Sequence, residues 1–406
     1  MTARRKKPSA TPHLRTTEKI GDRRTTWAEL LNDLVFTVII AQLAMRLLNT
    51  FDGPALGKFL LLYVPVWWLW NGETHYSTRF DSDRDTIHRL LGSLQLLGLI
   101  ILAAAIPKAL ASDQSSIVYA LTYSAVRLLL LIEYGRAWVY VPEARPYIRH
   151  ITTGFSISVL IWLGSAFVPT PYRYALWGLA LLIELSTPLT TSGGRLHKEF
   201  PPDVRHLPER YGLFTLLVLG QAVTSTAQGL IQTGFETDTV VATLLGGIVI
   251  IGLWWAYFDR LDDDAVRRVS EGGSARLYAF WLYLHLPLTV ALTVVGVGLT
   301  LAIRGVDAPE LPASTQWLFA GSVAGYFLAE AGISLTTLKA GPSHPSFVRG
   351  VIVRFGMAIL LISIRLLTSL NTLTLLGIAA GAIVALIISD QFSPEAPESE
   401  ERIVGQ

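Results

Sequence analysis

Apolar positions in this chain fall in long unbroken runs, not in the alternation of a strand or the narrow stripe of a half-exposed helix. Each run is about as long as the ~20 residues a helix needs to cross ~30 Å of hydrocarbon. Bounded by charge, Pro and Gly, the runs predict helices near 27–48, 57–73, 89–110, 117–140, 148–168 and 172–188. Six more are predicted near 209–231, 238–259, 276–303, 315–338, 347–369 and 371–390. A helix satisfies its own backbone in lipid, so the pattern predicts an all-α integral membrane protein of about twelve transmembrane helices.

The polar punctuation organises these runs. Residues 1–26 form a basic arm with no apolar core, which excludes a cleavable signal peptide and predicts a disordered cytoplasmic segment that touches anionic lipid at most. Residues 189–208 carry Gly193, Gly194, Pro201, Pro202 and Pro208 and form a linker between 27–188 and 209–390, each with six predicted helices. From 391 the chain is an acidic tail predicted to be disordered. The halves share weak similarity, Pro65–Trp70 against Ile250–Tyr257 and Glu133-Tyr134-Gly135 against Glu330-Ala331-Gly332. With an even number of spans in each half, a repeat would be parallel, related by an axis along the membrane normal.

Charge sets the orientation. One set of alternate loops holds the basic arm, Arg79, Arg84, Arg89, Arg145, Arg149, Arg195, Lys198, Arg205 and Arg210, and then Arg260, Arg267, Arg268, Arg276, Lys339, Arg349, Arg354 and Arg402. The other set holds Lys58, Lys108, Arg173 and Arg304. Retention of positive charge on the cytoplasmic side then predicts a cell-membrane protein with both termini and the linker inside. Composition agrees, with 51% hydrophobic and 16% charged residues against roughly 25% charged in globular proteins. The absence of Cys excludes disulfides, thiol nucleophiles and zinc–thiolate sites.

Polar groups inside the runs are the candidates for function, because an ionisable side chain in hydrocarbon is expensive. The candidate pathway groups are Asp33, Gln42, Glu133, Gln221, His285 and Glu330. Glu133 has Arg136 one turn along its own helix, while Glu330 has no cation on its helix and is expected to find Arg365 or Arg127. A second cluster, Glu29, Asn71, Arg79, Asp81 and Arg89, reads as a structural clamp in which Arg79 or Arg89 reaches Glu29 or Asp33. His197, His206 and the Asp262–Asp264 run lack metal-ligand spacing and read as solvated, so no metal or cofactor is expected. No Walker A loop, His-Glu-x-x-His helix, nucleophile elbow or dinucleotide fingerprint occurs, so neither an enzyme nor an ATP-driven pump is expected.

Several motifs together resemble the bacterial low temperature requirement A (LtrA) membrane proteins. Trp27-Ala-Glu29-Leu-Leu-Asn-Asp33-Leu34-Val35-Phe36 is similar to that family's opening helix. Trp70-Asn71, Thr74, Tyr76, Arg79-Phe80-Asp81, Asp83 and His88-Arg89 resemble its second-helix end. Glu209-Arg210-Tyr211-Gly212-Leu213-Phe214 with Leu219-Gly220, Trp254-Trp255-x-Tyr257-Phe258-Asp259 and His285-Leu286-Pro287 complete the resemblance over roughly 24–390. Gln221 stands where the family has Glu, and Leu31-Asn32 where it has two Phe. The resemblance implies a membrane class and no agreed reaction or substrate. The preferred expectation is a transporter whose partners are membrane lipid and a small solute or ion, with no nucleic acid. The alternatives are a cation channel of six-plus-six helix design, or a lipid-binding, sensing or scaffold protein that transports nothing.

Overall fold

The computed structural model describes residues 11–14, 25–51, 54–81, 85–203, 206–259, 274–338 and 345–391. The first six long helices are α1 (Trp27–Asn49), α2 (Ala55–Ser77), α3 (Thr86–Ala105), α4 (Asp113–Tyr140), α5 (Arg145–Ser165) and α6 (Tyr172–Ser186). A short helix, α7 (Thr191–Glu199), follows inside the 189–208 segment expected as linker. The second group is α8 (His206–Thr233), α9 (Thr237–Phe258), α10 (Ala275–Arg304), α11 (Ala313–Leu338), α12 (Pro345–Leu367) and α13 (Thr372–Gln391). Two two-residue strands, β1 (His13–Leu14) and β2 (Phe80–Asp81), pair antiparallel. This pairing corrects the expectation of a wholly disordered basic arm. Most of that arm, Asp83, the Asp262–Asp264 run and the acidic tail lie outside the described residues.

Among the described residues, nine helices are long and apolar enough to cross a membrane: α1, α3, α4 and α8 to α13. The other three long helices dilute their apolar content or fall short. α2 carries Asn71, Glu73 and His75 in its last two turns, α5 opens on Arg145, Arg149 and His150, and α6 has 15 residues. Burial separates centre from periphery: the spanning window of α10 is 78% buried and that of α11 72%, whereas the other seven lie between 33% and 44%. The peripheral helices turn side chains such as Leu97, Leu160, Leu182 and Ile352 outward, an apolar surface that only lipid can cover.

Neighbour order repeats between the two groups. α1 packs on α2 and α3, α3 on α4, α4 on α5, α5 on α6, and α2 on α6. In the same order α8 packs on α9 and α10, α10 on α11, α11 on α12, α12 on α13, and α9 on α13. α10 sits tightest because it carries glycines where backbones meet, as small residues let membrane helices approach. A Cβ at Gly296 would stand 2.8 Å from Cα of Ala222 on α8, and one at Gly298 3.0 Å from Cα of Phe319 on α11. The groups meet where α1 lies against α8 and α10.

Candidate functional site

Where α1, α8 and α10 begin and α2 ends, buried charges join the two groups of helices. Thr26 caps α1: its hydroxyl accepts from the Glu29 amide at 3.3 Å while the Glu29 carboxylate accepts from the Thr26 amide at 2.9 Å. One turn deeper, Asp33 is 0% exposed and its Oδ1 accepts from Arg210 at 2.7 Å and from the Trp70 indole at 2.9 Å. Arg210 reaches back to Glu29 at 3.7 Å, and His206 meets the same carboxylate at 3.1 Å. Glu209 lies beside the other ring nitrogen of His206 at 3.3 Å and accepts from Thr25 at 2.6 Å. The helix periodicity of α8 aligns these groups: 206, 209 and 210 fall on one face, three and four residues apart.

Aromatic rings floor this network. Trp70 stacks on Phe214 at 4.1 Å between centroids, and Tyr211 lies edge-on to Trp70 at 4.9 Å and near His285 at 4.8 Å. Asn71 donates to the Tyr211 hydroxyl, a short bond between α2 and α8. His285 faces a main-chain carbonyl, that of Trp281, at 2.7 Å through Nδ1, so that nitrogen carries the proton. Its Nε2 therefore accepts, from the Tyr257 hydroxyl at 3.1 Å. This imidazole is satisfied as a neutral link between α9 and α10.

Three expectations about partners are corrected here. Asp33 and Glu29 meet Arg210, which the charge count places in a basic loop, and not Arg79. Arg79, only 1% exposed, instead holds the linker between the groups: it donates to the Phe200 carbonyl at 3.0 Å, to His197 at 2.7 Å and to His75 at 2.9 Å. Glu330 is paired with Arg354, not with Arg365 or Arg127, and Arg354 also meets Asp390 at 3.0 Å. Arg127 instead meets Glu184 at 2.7 Å, both fully buried. His197 and His206, read as solvated, are 6% and 1% exposed. Burial, with Arg79 and His150 nearby, pushes the His197 imidazole well below its ordinary range.

The remaining sequence candidates are spread through the bundle. Glu133 meets His88 at 3.0 Å and, as expected, Arg136 at 3.3 Å, and accepts from Tyr76 at 3.2 Å. Gln221 donates to Ser225 at 2.6 Å while its Oε1 stays buried without a partner among the described residues. Gln42 lies with Val35, Val38 and Ile100 on a groove of about 300 Å3. Asp81 stands opposite His13 in the small sheet, and Arg89 lies in the first turn of α3, its amide bonded to the Asp85 carbonyl. Of the six pathway candidates, Asp33 and His285 share the aromatic floor between the groups of helices, bridged by Trp70 and Tyr211.

Comparison with known proteins matches this arrangement to a family. The profile of the bacterial low temperature requirement A protein matches residues 24–392. The chain belongs to the LtrA family. A curated relative, the uncharacterized protein RA0937 of Rhizobium meliloti (strain 1021), is 24% identical over 298 residues, covering 70% of this chain and 71% of its own. The segments that built the resemblance include the site itself: Glu29, Asp33, Trp70, Asn71, Arg210, Tyr211 and His285 all lie within the matched region.

Proposed function

We propose that this LtrA-family protein is a twelve-span transporter of a small solute or ion in the cell membrane, with both termini and the 189–208 linker cytoplasmic. In this reading the Glu29–Asp33–Arg210–His206 network is the closed cytoplasmic gate between two six-helix halves. The observation that carries it is the buried pair Asp33–Arg210, which joins α1 to α8 at one end of the interface. A static interface would gain as much or more from apolar side chains of similar volume, since a buried pair barely repays its desolvation. Buried pairs also lie within each half, Arg127–Glu184 and Arg354–Glu330, so it is the position of Asp33–Arg210 across the interface, where a pair that breaks and reforms has reason to stay polar, that supports the gate. Among the described residues Asp33 Oδ2 and Arg210 Nε have no hydrogen-bond partner, so the network holds spare polar capacity.

Support for two moving halves comes from their repeated neighbour order and from a shared tie. In the first half Tyr119 on α4 donates to the Leu62 carbonyl on α2 at 3.0 Å; in the second, Tyr326 on α11 donates to the Leu253 carbonyl on α9 at 2.6 Å. Related halves rocking about a central site are a common transporter design.

The test is a proteoliposome flux screen across monovalent and divalent ions, amino acids and small organic acids. Saturable flux of at least one solute is expected, altered by Asp33→Asn. Single-channel conductance in a planar bilayer would replace the transporter with a channel, and no flux across the whole panel would favour the scaffold reading.

A further inference from the structure

A groove of about 510 Å3 opens at the same basic end, between the first turns of α5 and the end of α6, with α7 above it. Arg149 and Arg195 stand on its rim, both exposed. Among the described residues neither guanidinium forms a hydrogen bond or ion pair, and no carboxylate lines the groove. One wall is fixed by His150, whose Nε2 donates to the Thr187 carbonyl at 2.9 Å. Ile157 and Ile183 form the apolar floor. The same faces of α5 and α6 continue outward in Leu160 and Leu182, 69% and 67% exposed, so the groove opens toward lipid and not into the bundle.

We infer that this groove binds one anionic phospholipid, its phosphodiester held between Arg149 and Arg195 and one acyl chain laid over Ile157. Two exposed guanidiniums without a protein partner among the described residues, set on one rim, attract an anion, and their planar forks match phosphate oxygens. Basic pockets between membrane helices on the cytoplasmic side are the usual sites for anionic head groups. Spacing selects a lipid over a free anion. Ile157 lies eight residues beyond Arg149, roughly 12 Å deeper along α5 at 1.5 Å per residue, which is where an acyl chain hangs below its phosphate. A free phosphate would use the rim and leave that floor empty. The site is independent of the transport reading.

The experiment uses the full chain in detergent, with phosphatidylglycerol or phosphatidylcholine of identical chains added and retained lipid counted by native mass spectrometry. Wild type is expected to keep one phosphatidylglycerol in preference to phosphatidylcholine. A basic residue near a membrane surface contributes about fivefold, so Arg149→Gln with Arg195→Gln should reduce that preference roughly thirtyfold. Ile157→Trp fills the floor, leaves both charges in place and should also lower retention. All three side chains are exposed, so the substitutions remove no buried contact. Unchanged selectivity in the double variant would overturn the site. Undiminished phosphatidylglycerol binding in Ile157→Trp, or its full displacement by equimolar inorganic phosphate, would overturn the lipid in favour of a free anion.

Discussion

Three buried cation–carboxylate groupings carry different connections: Arg127–Glu184 lies within the first half, Arg354 with Glu330 and Asp390 within the second, and Arg210 with Asp33 between them. Removing one partner of such a pair strands the other in a medium that solvates it poorly, a loss of about 3–5 kcal/mol. Arg210→Gln should therefore lower the melting midpoint of the purified protein sharply. Asp33→Asn combined with Arg210→Gln should melt above Arg210→Gln alone, because no charge is left stranded. Equal melting of wild type and Arg210→Gln would show that water reaches the pair. Of their acids, Asp33 and Glu330 were legible in the sequence as rare charges in apolar runs, while Glu184 and Asp390 were not among the candidates. Their partners were not: Arg210 lies in the second turn of α8 and Arg354 ten residues into α12, yet the charge count assigns both to the basic loops. A long Arg stem can turn inward from such a position, and only the rotation of one helix against another decides whether it does.

At the scale of elements, the twelve long helices fall within a few residues of the runs read from the sequence, because an apolar run long enough to cross hydrocarbon leaves little choice of structure. The ninth-to-thirteenth-helix glycines were harder to read, since an apolar run does not say which face meets a neighbour. Gly296 and Gly247 separate the cases. Gly296→Ala should lower the melting midpoint by overpacking worth about 1–3 kcal/mol, since backbone stands in the way on α8. Gly247→Ala meets nothing within 4 Å and should leave stability equal or improved by helix propensity. If both variants melt alike, α8 and α10 are not in close backbone contact.

Helix α7 was hidden by Gly193, Gly194 and the prolines around it, and its anchor is an unusual one: Arg79 held by two imidazoles and two carbonyls, with no carboxylate among its bonds to the described residues. Both His75 and His197 present Nδ1 to the guanidinium, so each must be unprotonated there. Because the folded pKa of His197 is depressed below its unfolded value, its neutral form contributes stability that is present above about pH 6.5 and lost as pH falls toward the folded value. Hydrogen exchange of residues 191–200, corrected for intrinsic rate, should accelerate between pH 7.5 and pH 5. His197→Gln should flatten that dependence, and a pH-independent wild type would mean that the α7 anchor holds a protonated imidazole.

For the whole molecule, the decisive question is whether its halves separate at the basic end. The sequence hinted at the division through the Pro-rich linker and two short matches, but it could not place α1 against α8 across 177 residues of chain. The protein has no Cys, so two introduced thiols would be unique. Half-buried Thr25 and exposed Glu209 are hydrogen-bonded at 2.6 Å and lie outside the buried pair, yet they tether the entrance of α1 to the first turn of α8. Thr25→Cys with Glu209→Cys, joined by a short bis-methanethiosulfonate, should hold α1 against α8, and so the proposed gate shut, without removing Asp33 or Arg210. Flux should fall to background on cross-linking and return on reduction, each measured against the same variant unlinked. Rocking of two rigid halves requires this result, since α1 and α8 belong to different halves and must part for the cytoplasmic side to open. Undiminished flux in fully cross-linked protein would place any moving element elsewhere and leave Asp33–Arg210 as a permanent strut.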